Sequence, residues 1–184
     1  PYRYVIDIKY DGNRYQIHKE GKSVIIFNRK GKVVTDQYPD VVDIVKEFEV
    51  NSIILDTEIY PVNPDGSPAP HKILGKRVHS KDKAKAVREC PVKMVAFDCL
   101  SSVGESRLEE PLIERVKMSA RLPCIPEEYR AETFDDHTIQ SAYNIAIDRG
   151  FEGIMIKDAS MTYQPGKRSK GWLKYKPPRF NFAV

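Results

Sequence analysis

Cysteine is scarce in this chain of 184 residues, and the three present, Cys90, Cys99 and Cys124, form no Cys-x-x-Cys pair. An odd, widely spaced set argues against a disulfide framework or a thiolate metal site and points to buried thiols in a reducing compartment. The histidines His18, His71, His79 and His137 show no ligand spacing either, and no catalytic role is expected of them. No apolar run approaches the length of a membrane span, and nothing at the start reads as a secretory leader. Charge of one sign is also lacking. The net charge is +4 and the pI near 8.9, too mild alone to argue for a nucleic-acid partner. There is no internal repeat and no low-complexity tract.

With 41% hydrophobic and 30% charged residues and 13 prolines, the composition is that of a soluble globular protein, long enough for a domain with a sizeable core. Basic residues cluster late: Lys167, Arg168, Lys170, Lys174, Lys176 and Arg179 occupy a stretch without an acid. The first residue is Pro1, directly before a strand, so an excised fragment or processed chain is expected.

Alternation over Tyr4-Val5-Ile6-Asp7-Ile8 predicts a half-buried strand, with Ile6 and Ile8 toward the core and Asp7 and Lys9 on the other face. The turn signal Asp11-Gly12 follows, leaving Lys9 at a strand end with Arg14 opening the next strand. From position alone Lys9 is either a nucleophile or an exposed strand-end charge, the second being the commoner case.

Arg14–Glu20 and Ser23–Asn28 read as strands joined tightly through Glu20-Gly21-Lys22, and with the first strand they predict an antiparallel meander. Pro39–Phe48 has Val41, Val42, Ile44, Val45 and Phe48 at helical spacing behind a proline suited to a first turn. Ser52–Val62 is a strand with Asp56, Glu58 and Tyr60 on one face and Leu55, Thr57 and Ile59 on the other. After a loop at Asn63–Pro70, Ser80–Cys90 reads as a helix with Ser80 as N-cap and Asp82 in its first turn. Pro91–Leu100 is a buried strand, Leu112–Leu122 an amphipathic helix, and Pro123–Tyr129 a proline-punctuated connection. Thr138–Arg149 is a helix with the stripe Ile139, Ala142, Tyr143, Ala146 and Ile147 and with Gly150 at its C-cap. Strands at Glu152–Lys157 and Trp172–Lys176 close the chain. The expected class is α+β, mainly antiparallel sheet flanked by about four helices.

The strand ends carry an ordered set of motifs. Lys9-Tyr10-Asp11-Gly12-Asn13-Arg14 resembles the Lys-x-Asp-Gly-x-Arg motif of covalent nucleotidyltransferases. Asp56-Thr57-Glu58-Ile59 resembles their third motif, and Val95-Ala96-Phe97-Asp98-Cys99-Leu100 the adenine-stacking one. Glu152-Gly153-Ile154-Met155-Ile156-Lys157 is similar to the fourth and Trp172-Leu173-Lys174-Tyr175-Lys176 to the fifth. Order and separations resemble the adenylation domain of ATP-dependent DNA ligases of the archaeal and eukaryotic type, over nearly the whole chain. The loop Tyr163-Gln164-Pro165-Gly166-Lys167-Arg168 is similar to theirs too. Asp7 departs from the pattern, standing one methylene short of the family's usual Glu. The sixth motif, its oligonucleotide-binding-fold (OB-fold) domain and the N-terminal DNA-binding domain have no counterpart, so an N-terminally trimmed adenylation domain over residues 1–184 is expected.

The resemblance implies that Lys9 attacks the α-phosphate of ATP to give a lysyl-AMP phosphoramidate, and that AMP then passes to a DNA 5′-phosphate. The nucleophile must be a neutral amine, whereas a free lysine has a pKa of about 10.4. Nearby cations and a metal lower it. Lys174 and Lys176, two apart on a strand, face one side and are implied to do this and to stabilise charge on the phosphate. The alternative for them is a basic edge strand that resists aggregation.

Nucleotide contacts are implied for Asp7, Ile8, Arg14, Arg29, Glu58, Phe97, Met155, Lys157, Arg168, Lys174 and Lys176. Phe97 and Met155 would cover the two faces of adenine, Asp7 its amino group, and Glu58 the ribose. Glu58 and Glu152 are the implied ligands of Mg2+ or Mn2+, which take few carboxylates and share phosphate oxygens. Lys157 would approach phosphate, and Arg168 the nucleotide or the DNA backbone. Arg14 and Arg29 suit phosphate or ribose, with pairing to Glu20 or Asp36 as the alternative. The plain readings are core for Phe97 and surface for Glu58. Implied partners are nicked double-stranded DNA and the missing DNA-binding and OB-fold domains, with no membrane, in a prokaryotic cytoplasm or eukaryotic nucleus. An RNA ligase, a GTP-using capping enzyme, and a nucleotide- or nucleic-acid-binding module without turnover are the competing readings.

Overall fold

Strand alternation assigns side chains to faces, and the backbone then distributes those strands over two sheets. The computed structural model describes residues 3–121, 125–167 and 169–178. β1 (Tyr4–Lys9) leads to β2 (Asn13–Glu20), β3 (Ser23–Asn28), α1 (Pro39–Lys46) and β4 (Ser52–Pro61). α2 (Gly75–His79) and α3 (Lys83–Glu89) precede β5 (Val92–Ser102) and the short β6 (Glu105–Ser106). α4 (Leu112–Arg121), α5 (Ile139–Asp148), β7 (Gly153–Asp158) and β8 (Trp172–Tyr175) follow. One sheet has five strands in the order β3-β2-β4-β5-β6, the other three in the order β1-β7-β8. All these pairings are antiparallel, so the fold is the expected α+β class.

The expected three-strand meander is corrected. β2 and β3 form the hairpin, but β1 pairs with β7 in the other sheet. A Cβ on Gly12 would lie 2.3 Å from the carbonyl oxygen of Ile59. The chain therefore crosses against β4 where only glycine fits, and passes from one sheet into the other. β1 is also not half-buried, since Val5, Ile6, Asp7 and Ile8 are all buried. Ile6 and Ile8 pack with Ile154 and with Ala142 and Ala146 of α5, while Val5 meets Leu112 and Ala159 on the opposite side.

The main core forms where α1 lays Val41 and Val45 over Ile17, Ile26, Ile53, Leu55 and Ile59. α3 starts later than expected, because Asp82 rather than Ser80 is its N-cap. The Asp82 carboxylate accepts the Lys85 N–H at 2.9 Å, and the Ser80 hydroxyl donates to the Asp82 carbonyl at 2.8 Å. α2 has no counterpart in the sequence reading, since so short an element carries no full apolar stripe. Its Arg77 is fully buried and donates to Asp40 and to the Cys90 carbonyl, both at 2.8 Å.

α5 has Thr138 as its N-cap, accepting the Ser141 N–H at 3.1 Å, and Gly150 follows its C-terminus as expected. Cys90 and Cys99 are buried, as expected; Cys124 lies outside the described residues. Among those residues no helix is long and apolar enough to cross a membrane.

Candidate active site

Directly opposed residues in a sheet share a face, and along each strand the face recurs every second residue. In the three-stranded sheet Asp7 opposes Met155, which opposes Lys174, while Val5 opposes Lys157, which opposes Trp172. Lys9 opposes Gly153 at the open end. One face therefore presents Asp7, Lys9, Met155, Lys157, Trp172 and Lys174, and the other holds Ile6, Ile8, Ile154 and Ile156. Ile8 thus lies on the apolar side, so only its main chain is left to contribute to the site. Its N–H donates to the Glu132 carbonyl at 3.3 Å.

At the open end Lys9 and Lys176 share one carboxylate. Lys9 Nζ donates to Glu152 Oε2 and Lys176 Nζ to Glu152 Oε1, the latter at 2.5 Å. A Cβ on Gly153 would sit 2.2 Å from the Tyr175 carbonyl oxygen, so glycine there lets the end of β8 come close enough for Lys176 to reach Glu152. Burial alone would raise the Glu152 carboxyl, but the hydrogen bonds and charges of Lys176 and Lys9 outweigh it and hold it below the usual range. Glu58 is pushed up to about 7 by burial, against the opposing pull of the Lys9 charge and the Gly12 N–H.

Deeper in, Lys157 Nζ donates to Asp7 Oδ2 and lies 4.7 Å from the Phe97 ring centroid and 4.6 Å from that of Trp172. The charge of Lys157 is met by a carboxylate and two aromatic rings. Burial outweighs Lys157 and raises the Asp7 carboxyl; the other carboxylate oxygen, Oδ1, has no hydrogen-bond partner among the described residues.

Phe97 reaches this point through a β-bulge. Asp56 pairs with Asp98 and Thr57 with Ala96, so Phe97 is the extra residue on β5. Bulges re-aim side chains, and this one sets Phe97 edge-on to Trp172 at 5.9 Å. A cavity of about 860 Å3, lined by Asp7, Tyr10, Tyr60, Ala96, Phe97 and Thr133 among others, opens beside it.

Arg14 does not stand free. Its Nε donates to Asp56 Oδ1 at 2.8 Å and its Nη2 to Asp56 Oδ2 and to the Tyr163 hydroxyl, the last at 2.9 Å. Arg29 is apart from the Lys9 cluster. It lines a second cavity of about 540 Å3 together with Arg14, His18, Asn28, Tyr163 and Lys167. Arg168 lies outside the described residues. Lys174 is exposed, and Met155 half-buried opposite it. Among the described residues no group of three or more His, Cys, Asp or Glu is arranged to hold a metal ion.

The family profile described as ATP dependent DNA ligase domain matches residues 2–176. The chain belongs to this ligase domain family. Among relatives of the ligase domain, a DNA ligase of Natronomonas pharaonis is 38% identical over 173 residues, and one of Methanothrix thermoacetophila is 39% identical over 176. Each match covers 94% of this chain and 32% of the relative, so the chain spans about a third of their length. The solved structure of mycobacterial DNA ligase D complexed with ATP and MES aligns with a TM-score of 0.79 at 23% identity, over 94% of this chain and 54% of that one. At that identity the likeness speaks for the fold alone.

Three residues of the ligase domain gained a place at the site that sequence reasoning had not assigned: Asp56, Tyr163 and Trp172. Asp56 carried a signal, since it shares a strand face with Glu58. Tyr163 and Trp172 stood inside recognised segments, but the sequence offered no partner for either.

Proposed function

We propose that this chain is the adenylation domain of an ATP-dependent DNA ligase, with Lys9 as the nucleophile. The Lys9 nitrogen attacks the α-phosphorus of ATP, the bond to the β-phosphate oxygen breaks, pyrophosphate leaves, and the amine sheds a proton. The AMP held as a phosphoramidate then passes to a DNA 5′-phosphate for nick sealing. One observation carries this reading: Lys9, Glu152 and Lys176, from three separate motifs, meet at one carboxylate. Lys176 beside the nucleophile supplies fixed positive charge where the phosphate becomes more negative.

In this reading adenine lies against Phe97, with Asp7 and Met155 on the same face, and Lys174 and Arg14 serve the ribose and phosphates. Glu58 and Glu152 are hard oxygen donors, Glu152 paired with Lys9 and Glu58 within reach of its charge. Mg2+ takes one or two carboxylates plus phosphate oxygens and water, so this donor set fits a cation that arrives with ATP. Bound there, the cation would offset phosphate charge. The DNA-binding and OB-fold domains of a whole ligase, and nicked DNA itself, are the partners this reading assigns.

Incubation with ATP or GTP and magnesium, followed by peptide mass analysis, tests the proposal. An AMP adduct on Lys9 is expected; a GMP adduct without an AMP adduct would overturn the DNA-ligase reading.

A further inference from the structure

The connection between β7 and β8 crosses from the small sheet to the face of the large one, and Tyr163 is where it makes contact. The Tyr163 hydroxyl accepts from Arg14 Nη2 at 2.9 Å and donates to Asp56 Oδ2 at 2.8 Å. Asp56 is fully buried and takes Arg14 Nε on its other oxygen at 2.8 Å. The guanidinium is thus tied through Nε and Nη2, and Nη1 makes no hydrogen bond among the described residues. Its central carbon lies 5.7 Å from the Phe97 centroid and 5.9 Å from that of Trp172, beside the site face.

Tyr163 is itself held from behind. Its N–H donates to the Leu108 carbonyl at 2.9 Å, and the Arg115 guanidinium lies 5.9 Å from its ring. Arg115 is bound to Asp98, next to Phe97 on β5, by two hydrogen bonds of 2.7 and 2.8 Å, and reaches the Met161 carbonyl at 3.4 Å. Burial and the nearby Asp56 charge push the Tyr163 hydroxyl up to about 12, so it stays a neutral donor and acceptor at working pH. If Tyr163 served only to pack the loop, the ring would suffice. Here the hydroxyl is the atom that meets both partners.

We propose that Tyr163 is a positioning residue for nucleotide binding: its hydroxyl orients the Arg14 guanidinium so that Nη1 is presented to oxygen acceptors of bound ATP. This rests on the adenylation reading above. Without the hydroxyl, a second N–H of Nη2 is released, and a side chain with 41% exposure loses one of its three anchors.

The test measures Lys9–AMP formation against ATP concentration in the parent, Tyr163→Phe, Arg14→Lys and the double variant. Tyr163→Phe is expected to raise the half-saturating ATP concentration about fivefold to tenfold, with the maximal rate changed less than about twofold. In the Arg14→Lys background the same tyrosine change should shift half-saturation by less than about twofold. An equal rise in both backgrounds, no rise in either, or a loss confined to the maximal rate overturns the proposal. A second readout needs no turnover: exchange of the Arg14 Nη2 hydrogens, followed by NMR, should be protected in the parent and fast in Tyr163→Phe. Retained protection overturns the proposal as well. If the parent forms no adduct at Lys9, the adenylation reading itself falls; if the parent labels and Tyr163→Phe behaves like it, only the positioning role falls.

Discussion

Lys157 and Asp7 form a buried ion pair across 150 residues of sequence, with side-chain exposures of 3% and 4%. Removing one member strands the other, so Lys157→Met is expected to cost about 3–5 kcal/mol. Asp7→Asn combined with Lys157→Met should recover part of that loss. Denaturant unfolding of the single and double variants checks this, and strictly additive losses would show that the two charges are not coupled.

Lys9 and Lys176 differ in what their removal should do. Lys9→Ala is expected to abolish the AMP adduct while the fold persists, because its side chain sits at the open end of the site. Lys176→Met should keep the adduct but slow its formation by roughly a hundredfold, the usual scale for losing one fixed charge at a developing anion. Intact mass against time reads both, and an undiminished adduct in Lys9→Ala would remove the nucleophile assignment.

Phe97 is turned toward the site by a bulge rather than into the core. Phe97→Ala is expected to weaken ATP binding roughly tenfold, with Phe97→Tyr near the parent, as a stacking surface requires. Titration with a fluorescent ATP analogue distinguishes the two. Equal affinity in Phe97→Ala and the parent would return Phe97 to a packing role.

Burial pushes the Glu58 carboxyl from its usual 4.5 up to about 7. Between those values the folded protein holds a proton that the unfolded chain releases. The stability contributed by that proton is full below the unfolded value and declines as pH rises through the folded one. Glu58→Gln, which cannot ionise, should match the parent near pH 4 and exceed it near pH 8 by on the order of 2 kcal/mol. Melting curves at both pH values, without divalent cations, check this; a gap of the same size at each would count against it.

Much of the architecture was legible. The period of two located the strands that carry the motifs, Thr138 and Gly150 bounded α5, and Pro39 opened α1. Two of the misses depend on a distant partner and one on a local cap. β1 joined β7 instead of β2, Asp82 displaced Ser80 because its carboxylate won the cap, and α2 rests on Arg77 reaching Asp40 and the Cys90 carbonyl.

The site divides the same way. The sequence by itself determined which side chains share a strand face, because alternation is a local property of the extended backbone: Asp7 with Lys9, Asp56 with Glu58, and Lys174 opposite in sense to Tyr175. Only the tertiary structure decided what each face meets. Glu152 joining Lys9 to Lys176, Asp7 neutralising Lys157, and Tyr163 bracing Arg14 against Asp56 all depend on register and sheet order. Those are settled by the packing of two sheets and by two close backbone approaches, at Gly12 and Gly153, which no local pattern encodes.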